Sequence, residues 1–244
     1  MTRIYKKKTE IDVSKTHEFF ESRGKNVNLD HPITSILYQD KNPSLALERD
    51  NYEKKKAEPL LRLNIKDDLL DVGCGIGRWS YVASQVHSYH GVDFSQNLID
   101  LAVTNISAPN VTYQRLAAED INLNNIDSIE EFSRVIIAGL LIYLNDDAVI
   151  KSLNGINECC RNDALIYMRE PIALEDRLTL KEYWSNELNS DYSAIYRTRA
   201  ELENIFQISL YKSGFELIYE KPLYPSHLNN RVETQQYIFV FKRS

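Results

Sequence analysis

The segment Leu69-Leu70-Asp71-Val72-Gly73-Cys74-Gly75-Ile76-Gly77-Arg78-Trp79 restricts this chain more than any other. An apolar run that ends in a glycine-rich turn and passes into a helical pattern reads as strand, loop and helix. Glycines at 73, 75 and 77 remove the side chains that keep a ligand off the backbone. Peptide N–H groups and a helix N-terminus then face whatever lies across the turn. In a doubly wound α/β sheet this place, beyond the carboxyl end of the first strand, is the nucleotide crevice. A second apolar segment, His90-Gly91-Val92-Asp93-Phe94, ends in a carboxylate. Asp93 follows the loop by about 20 residues, the spacing at which an acid meets a ribose hydroxyl pair.

The loop departs from the dinucleotide fingerprint, whose third glycine comes after two intervening residues. Gly77 comes after one, and Arg78 follows it. Asp71 adds an acid just before the loop, which suits a cofactor with a cationic ammonium and no pyrophosphate. On these residues the chain resembles the class I S-adenosylmethionine (SAM) dependent methyltransferases, clearly over about residues 60–170 by the order of strands and helices. The resemblance implies a doubly wound, mostly parallel seven-stranded sheet of the Rossmann-like methyltransferase fold. It implies SAM as cofactor and S-adenosylhomocysteine (SAH) as product. Asp71, Gly73, Gly75 and Gly77 would hold the methionine end and Asp93 the ribose, with Phe94 also in the cofactor site. Ala118, Glu119 and Gly139 would complete the cofactor site. Ala117 stands where the family often places an adenine-binding Asp, so Glu119 or a backbone carbonyl is the substitute.

Along the chain, residues 1–58 read as an N-terminal helical cap and 59–244 as the SAM-binding domain. Asn42-Pro43 marks a helix start, and Pro59 is expected to kink or end that helix. Tyr38 and Arg49 are candidates for the SAM carboxylate; for Arg49 an ion pair with a helix neighbour such as Glu53 is the even alternative. Arg78 is a further candidate for the SAM carboxylate, with an exposed position as the simpler reading. Ile76 to His87 is expected to be the first crossover helix. Later strands are expected at 88–93, 111–116, 132–138, 164–168, 215–221 and 235–242. Ser95, Asn145 and the Thr198/Glu201 capping box are expected helix starts. Residues 172–197, rich in Tyr and Trp, read as an α-rich insertion over the substrate pocket.

Three residues are catalytic candidates. Tyr143 occupies the place where the family often has His at the reaction centre. Glu170 follows the fifth strand and is expected to project into the crevice as the acid–base group. His227 lies in a loop between the last strands and is the alternative base.

A net charge of −6 argues against a nucleic-acid polymer as substrate. The longest apolar run, 135–144, is too short to span a bilayer. The first residues lack an apolar signal core, and three cysteines, two of them adjacent, make neither a disulfide framework nor a zinc pattern. A cytoplasmic monomer or homodimer without a metal is expected. Acidic charge and a tyrosine-lined pocket point to a small polar acceptor, and O-methylation of a sugar or nucleotide-linked sugar hydroxyl is the specific expectation. O- or N-methylation of another natural product or metabolite is the alternative, and a SAM-binding regulatory protein without turnover is the reading from another class. A nicotinamide oxidoreductase is disfavoured by the loop spacing.

Overall fold

The computed structural model describes residues 2–37, 39–128 and 131–244. Its frame is a seven-stranded sheet. In chain order the strands are β2 (Asp68–Val72), β3 (Ser88–Asp93), β4 (Val111–Arg115), β5 (Phe132–Ala138), β6 (Cys160–Ala173), β9 (Phe215–Pro222) and β10 (Thr234–Arg243). Their spatial order is β4-β3-β2-β5-β6-β10-β9, and only β10 runs against its neighbours. β2 and β5 lie side by side where the order reverses, so the crevice at their carboxyl ends is the place for a ligand.

The apolar runs explain the layers. β2 is buried along its whole length, as a strand covered on both faces must be. On one face Leu70, Val72, Val135 and Ile137 pack under α5 (Asp146–Glu158) and α6 (Arg199–Ile208). On the other face Leu69, Ile136, Tyr89 and Tyr167 meet α3 (Pro43–Leu61) and Trp79. A third cluster joins Phe20 of α1 (Val13–Lys25), Leu98 of α4 (Gln96–Asn105), Tyr143 and a hairpin beyond the carboxyl ends. Ser95 caps α4 by accepting from the Leu98 N–H, and Thr198 with Glu201 forms the expected capping box of α6.

Several local expectations are corrected. Residues 172–197 are not α-rich. They hold the antiparallel pair β7 (Leu178–Ser185) and β8 (Ser190–Tyr196), and β7 also pairs with β1 (Thr2–Tyr5). Aromatic and β-branched residues suit a half-buried sheet, and Asn189 at φ +49° makes the tight return. The crossover over 76–87 is a 3₁₀ helix at Ser80–Gln85 rather than an α-helix. Gly77 is held at φ +75°, which delays the helix start and leaves too few residues before β3. α3 runs past Pro59 to Leu61, because Ala57 and Leu61 are fully buried against the sheet. Asn145 precedes α5 without capping it; its side chain pairs instead with the backbone of Ile11.

Among the described residues no helix is long and apolar enough to cross a membrane, and no group of three or more His, Cys, Asp or Glu is placed to hold a metal.

Candidate active site

β2 feeds directly into the glycine turn. The N–H groups of Gly73 and Cys74 donate to the Val92 carbonyl at 2.8 and 3.0 Å, which ties the turn to the end of β3. Gly73 and Gly75 hold φ of +71° and +54°, conformations that side chains disfavour. Asp93 completes the arrangement: its Oδ2 accepts from the Gly75 N–H at 3.0 Å and its Oδ1 from the Ser95 N–H at 2.9 Å. Burial pushes the Asp93 carboxyl up to about 6, against the pull of these backbone donors. The acid therefore sits at the floor of the crevice, already oriented.

One cleft gathers much of the expected cofactor set. Gly73, Gly75, Asp93 and Phe94 line one part of it. Ala118, Glu119, Gly139 and Tyr143 line the rest. Sequence reasoning missed its outer wall, which is α1. Val13, Thr16, His17 and Phe20 face the cleft, and their i, i+3, i+4, i+7 spacing was the available signal. The His17 ring stacks on Phe94 with centroids 4.1 Å apart, and Phe20 meets Tyr143 edge-on at 4.9 Å.

Other expected residues lie elsewhere. Asp71 is buried beneath the turn, where its Oδ2 accepts from the Tyr89 hydroxyl at 2.5 Å. Burial pushes that carboxyl up to about 7. Gly77 is a packing position, since a Cβ there would stand 2.6 Å from the Tyr113 hydroxyl. Tyr38 lies outside the described residues. Arg49 neither lines this cleft nor pairs with Glu53; it donates to the Leu228 carbonyl and to Asn230 Oδ1. His227 is on the surface, 3.8 Å from Glu48.

Glu170 also departs from expectation. Adjacent strand residues point to opposite faces, and it is Arg169 that lines the cleft. Glu170 is buried under residues 140–143, and its Oε1 accepts from the N–H groups of Leu140 and Leu141 at 2.8 and 3.0 Å. Its part is to hold the turn after β5. Burial pushes its carboxyl up to about 7. A folded-state value above the unfolded one of about 4.3 means that this group's stabilisation is complete below pH ~4.3 and is lost as pH rises through ~7. Glu170→Gln should therefore flatten the fall in melting temperature between pH 4.5 and 7.5 and leave SAH affinity unchanged. An unaltered pH slope in thermal melts would count against this account.

The charges that matter most form a buried network that sequence reasoning did not assemble. Arg78 Nε donates to Asp50 Oδ1 at 2.5 Å and its Nη2 pairs with Glu53. Arg169 Nε donates to the other oxygen of Glu53 at 3.0 Å. Both arginines also line the cleft. Burial opposes ionisation of Glu53, but Arg169 and Arg78 outweigh it and hold the carboxyl below its usual value. Asp50 and Glu53 lie three apart on α3, so they share a face; Arg78, expected to be exposed, is 9% exposed.

A second cavity adjoins the first. Leu37 lines both, and at their boundary the Tyr143 hydroxyl lies 3.1 Å from that of Tyr192, which is 3.3 Å from that of Tyr196. Tyr183, Tyr192 and Tyr196 of the hairpin wall the second cavity, with Arg3, Arg49 and Arg231 among its polar residues.

Residues 69–163 match a family model described as "Methyltransferase domain". No curated protein matches the chain. Solved structures do. A SAM-dependent methyltransferase from Leishmania major is similar at TM-score 0.66 and 15% identity, over 94% of this chain and 82% of that one. The N-methyltransferase NodS from Bradyrhizobium japonicum WM9, in complex with SAH, is similar at TM-score 0.59 and 13% identity, over 93% and 98%. Phosphoethanolamine N-methyltransferase 1 of Haemonchus contortus, with phosphoethanolamine and SAH, gives TM-score 0.66 and 16% identity, over 93% of this chain and 48% of that one. At these identities the likeness speaks to the fold, while the matched domain spans the glycine turn, Asp93 and residues 118–143. Residues 69–163 thus match a methyltransferase domain, set in a sheet whose fold is shared with these SAM-dependent methyltransferases.

Proposed function

We propose that the first cleft takes SAM and the second takes a small polar acceptor, a sugar or nucleotide-linked sugar whose hydroxyl is methylated. The observation that carries this reading is the meeting of the two cavities at Leu37 and at the Tyr143–Tyr192 contact. The residues present fit the donor. Gly75 leaves a cradle that a Cβ would fill, 3.1 Å from Ile36. Asp93 offers a carboxylate for ribose hydroxyls at one end, and Arg78 with Arg169 offers guanidinium groups for the methionine carboxylate at the other. Glu119, Ala118 and Phe94 flank the adenine. Residues 1–58 act as a cap, because α1 forms the outer wall of the donor cleft.

Bound SAM supplies a methyl carbon already activated by its sulfonium. The chain's own task is then to align the acceptor, exclude water and handle one proton. Tyr143 and Tyr192 orient an acceptor oxygen by hydrogen bonding. Burial raises the pKa of Tyr196, which favours the phenol over the phenolate in this chain of hydroxyls. Tyrosine rings along the second cavity give apolar faces for a sugar.

A second reading has an observation in its favour. Leu37, Tyr143 and Tyr192, where the cavities meet, bring no carboxylate or imidazole, and Glu170 and His227 stand away from both cavities. An uncharged amine needs no base to release a proton before attack, so N-methylation fits the same junction. Methyl-labelled SAM incubated with a panel of sugars, nucleotide-linked sugars and amines decides the matter. Label on a sugar hydroxyl supports the first reading and label on nitrogen alone supports the second. Firm SAH binding with no transfer to any member of the panel would favour a binding protein without turnover.

A further inference from the structure

The lining of the second cavity is positive by one in a protein of net charge −6. Five charged residues line it: Arg3, Arg49, Arg231, Glu187 and Glu233. Glu233 is taken by Arg3 and also accepts from the Tyr5 hydroxyl at 2.7 Å. Glu187 accepts from the Lys41 backbone N–H at 2.8 Å, a neutral donor, so its charge remains and the lining as a whole is positive by one. Arg49 and Arg231 are the two guanidinium groups without a carboxylate partner among the described residues. Arg49 uses Nε and Nη2 on neutral acceptors, the Leu228 carbonyl and Asn230 Oδ1, so its charge is fixed in place but not balanced. Arg231 makes no ion pair and no side-chain hydrogen bond among the described residues. Both line the same cavity, and burial lowers the Arg49 pKa with the positive charges of Arg231 and Arg169 adding to it.

Arg49 is fixed beside the cavity and Arg231, exposed, lines the same cavity, so an anion reaching both would offset their like charge. Guanidinium groups suit phosphate in particular, because their planar N–H forks match its oxygens. We propose that the acceptor carries a phosphate or diphosphate ester, and that Arg49 and Arg231 bind it in the second cavity. Neither arginine lines the donor cleft, so the anionic group sits away from the methyl. The acceptor must then reach from these arginines to the junction at Leu37 and Tyr143, which calls for a phosphorylated molecule of sugar size rather than a bare anion. Asn229 and Gln236 add neutral polar groups to the same wall. The inference rests on the reading that the second cavity receives the acceptor.

The test uses the full chain saturated with SAH and inorganic pyrophosphate as the probe, titrated by calorimetry at low ionic strength. Pyrophosphate should bind, and Arg231→Gln should weaken it about 10- to 100-fold, the loss of charge-assisted hydrogen bonds. SAH affinity should not change. Arg231 has no partner to lose, so this variant folds even if Arg49→Gln, which frees Leu228, does not. Sugar phosphates and nucleoside diphosphate sugars, titrated next, distinguish a monoester from a diphosphate source by which binds more tightly. No binding of any of the three to the SAH complex overturns the inference, as does pyrophosphate binding that Arg231→Gln leaves unmoved; the two-cavity reading survives either result. Failure of SAH itself to bind would instead overturn the reading beneath it.

Discussion

Glu53→Gln should lower the unfolding free energy by about 3–5 kcal/mol, the cost of removing one partner from a buried ion group. Glu53 is fully buried, and its two oxygens are divided between Arg78 and Arg169. A neutral amide would leave the two guanidinium groups facing each other with Asp50 as the nearest anion, and Asp50 is already shared with Lys54 at 2.7 Å. Gln keeps the shape of the side chain, so the loss measures charge rather than a cavity. The expected damage is larger than for any surface pair, such as Lys151–Asp120, where both partners are exposed and solvent screens the interaction. Urea denaturation of both proteins gives the comparison. A change under 1 kcal/mol would mean that water or rearrangement compensates both arginines. Because Arg78 and Arg169 line the donor cleft, SAH affinity should fall as well.

The largest effect on ligand binding should come from the glycine turn. Gly75→Val should abolish measurable SAH binding: the position holds φ +54°, and a Cβ already meets Ile36 at 3.1 Å. Asp93→Ala is the graded companion. Charge-assisted hydrogen bonds are worth about 1.5–3 kcal/mol, so SAH should weaken roughly 10- to 150-fold. The acid also gives binding a pH dependence. In the proposed site ribose hydroxyls would donate to the ionised carboxylate, and burial has raised the free protein's Asp93 to about 6. SAH affinity should therefore be full above pH 7 and should fall as pH drops through 6, where the free protein takes up the competing proton. Asp93→Asn should remove that limb. Calorimetry across pH 5–8 settles it, and normal affinity in folded Asp93→Ala would sink the ribose assignment.

Much of the frame was legible because it depends on local chemistry. Strand-to-turn at Gly73, the Ser95 cap and the Thr198/Glu201 box each follow from residues within a few positions of one another, and Asp93 from its spacing of 18 residues from Gly75. The insertion was misread since its tyrosines suggested a cover without fixing its form; the alternation Leu178/Leu180 and Tyr192/Ala194 was the strand signal. Glu170 was misassigned for a sharper reason. Two adjacent charges inside β6, which runs on to Ala173, must point to opposite faces, but a strand buried on both faces carries no mark of which face opens on the cleft.

By itself, then, the sequence determined the glycine turn, the acid that anchors it and the order of strands that brings both to a crevice, since these depend on spacing along one short stretch. Only the tertiary structure decided the partners of the long-range charges. Glu53 meets Arg169 from 116 positions away, and Arg49 meets Leu228 from 179 away. Such pairs are chosen by how α3 lies across the sheet, and an ionic side chain carries its charge in its sequence but not the direction in which burial will turn it.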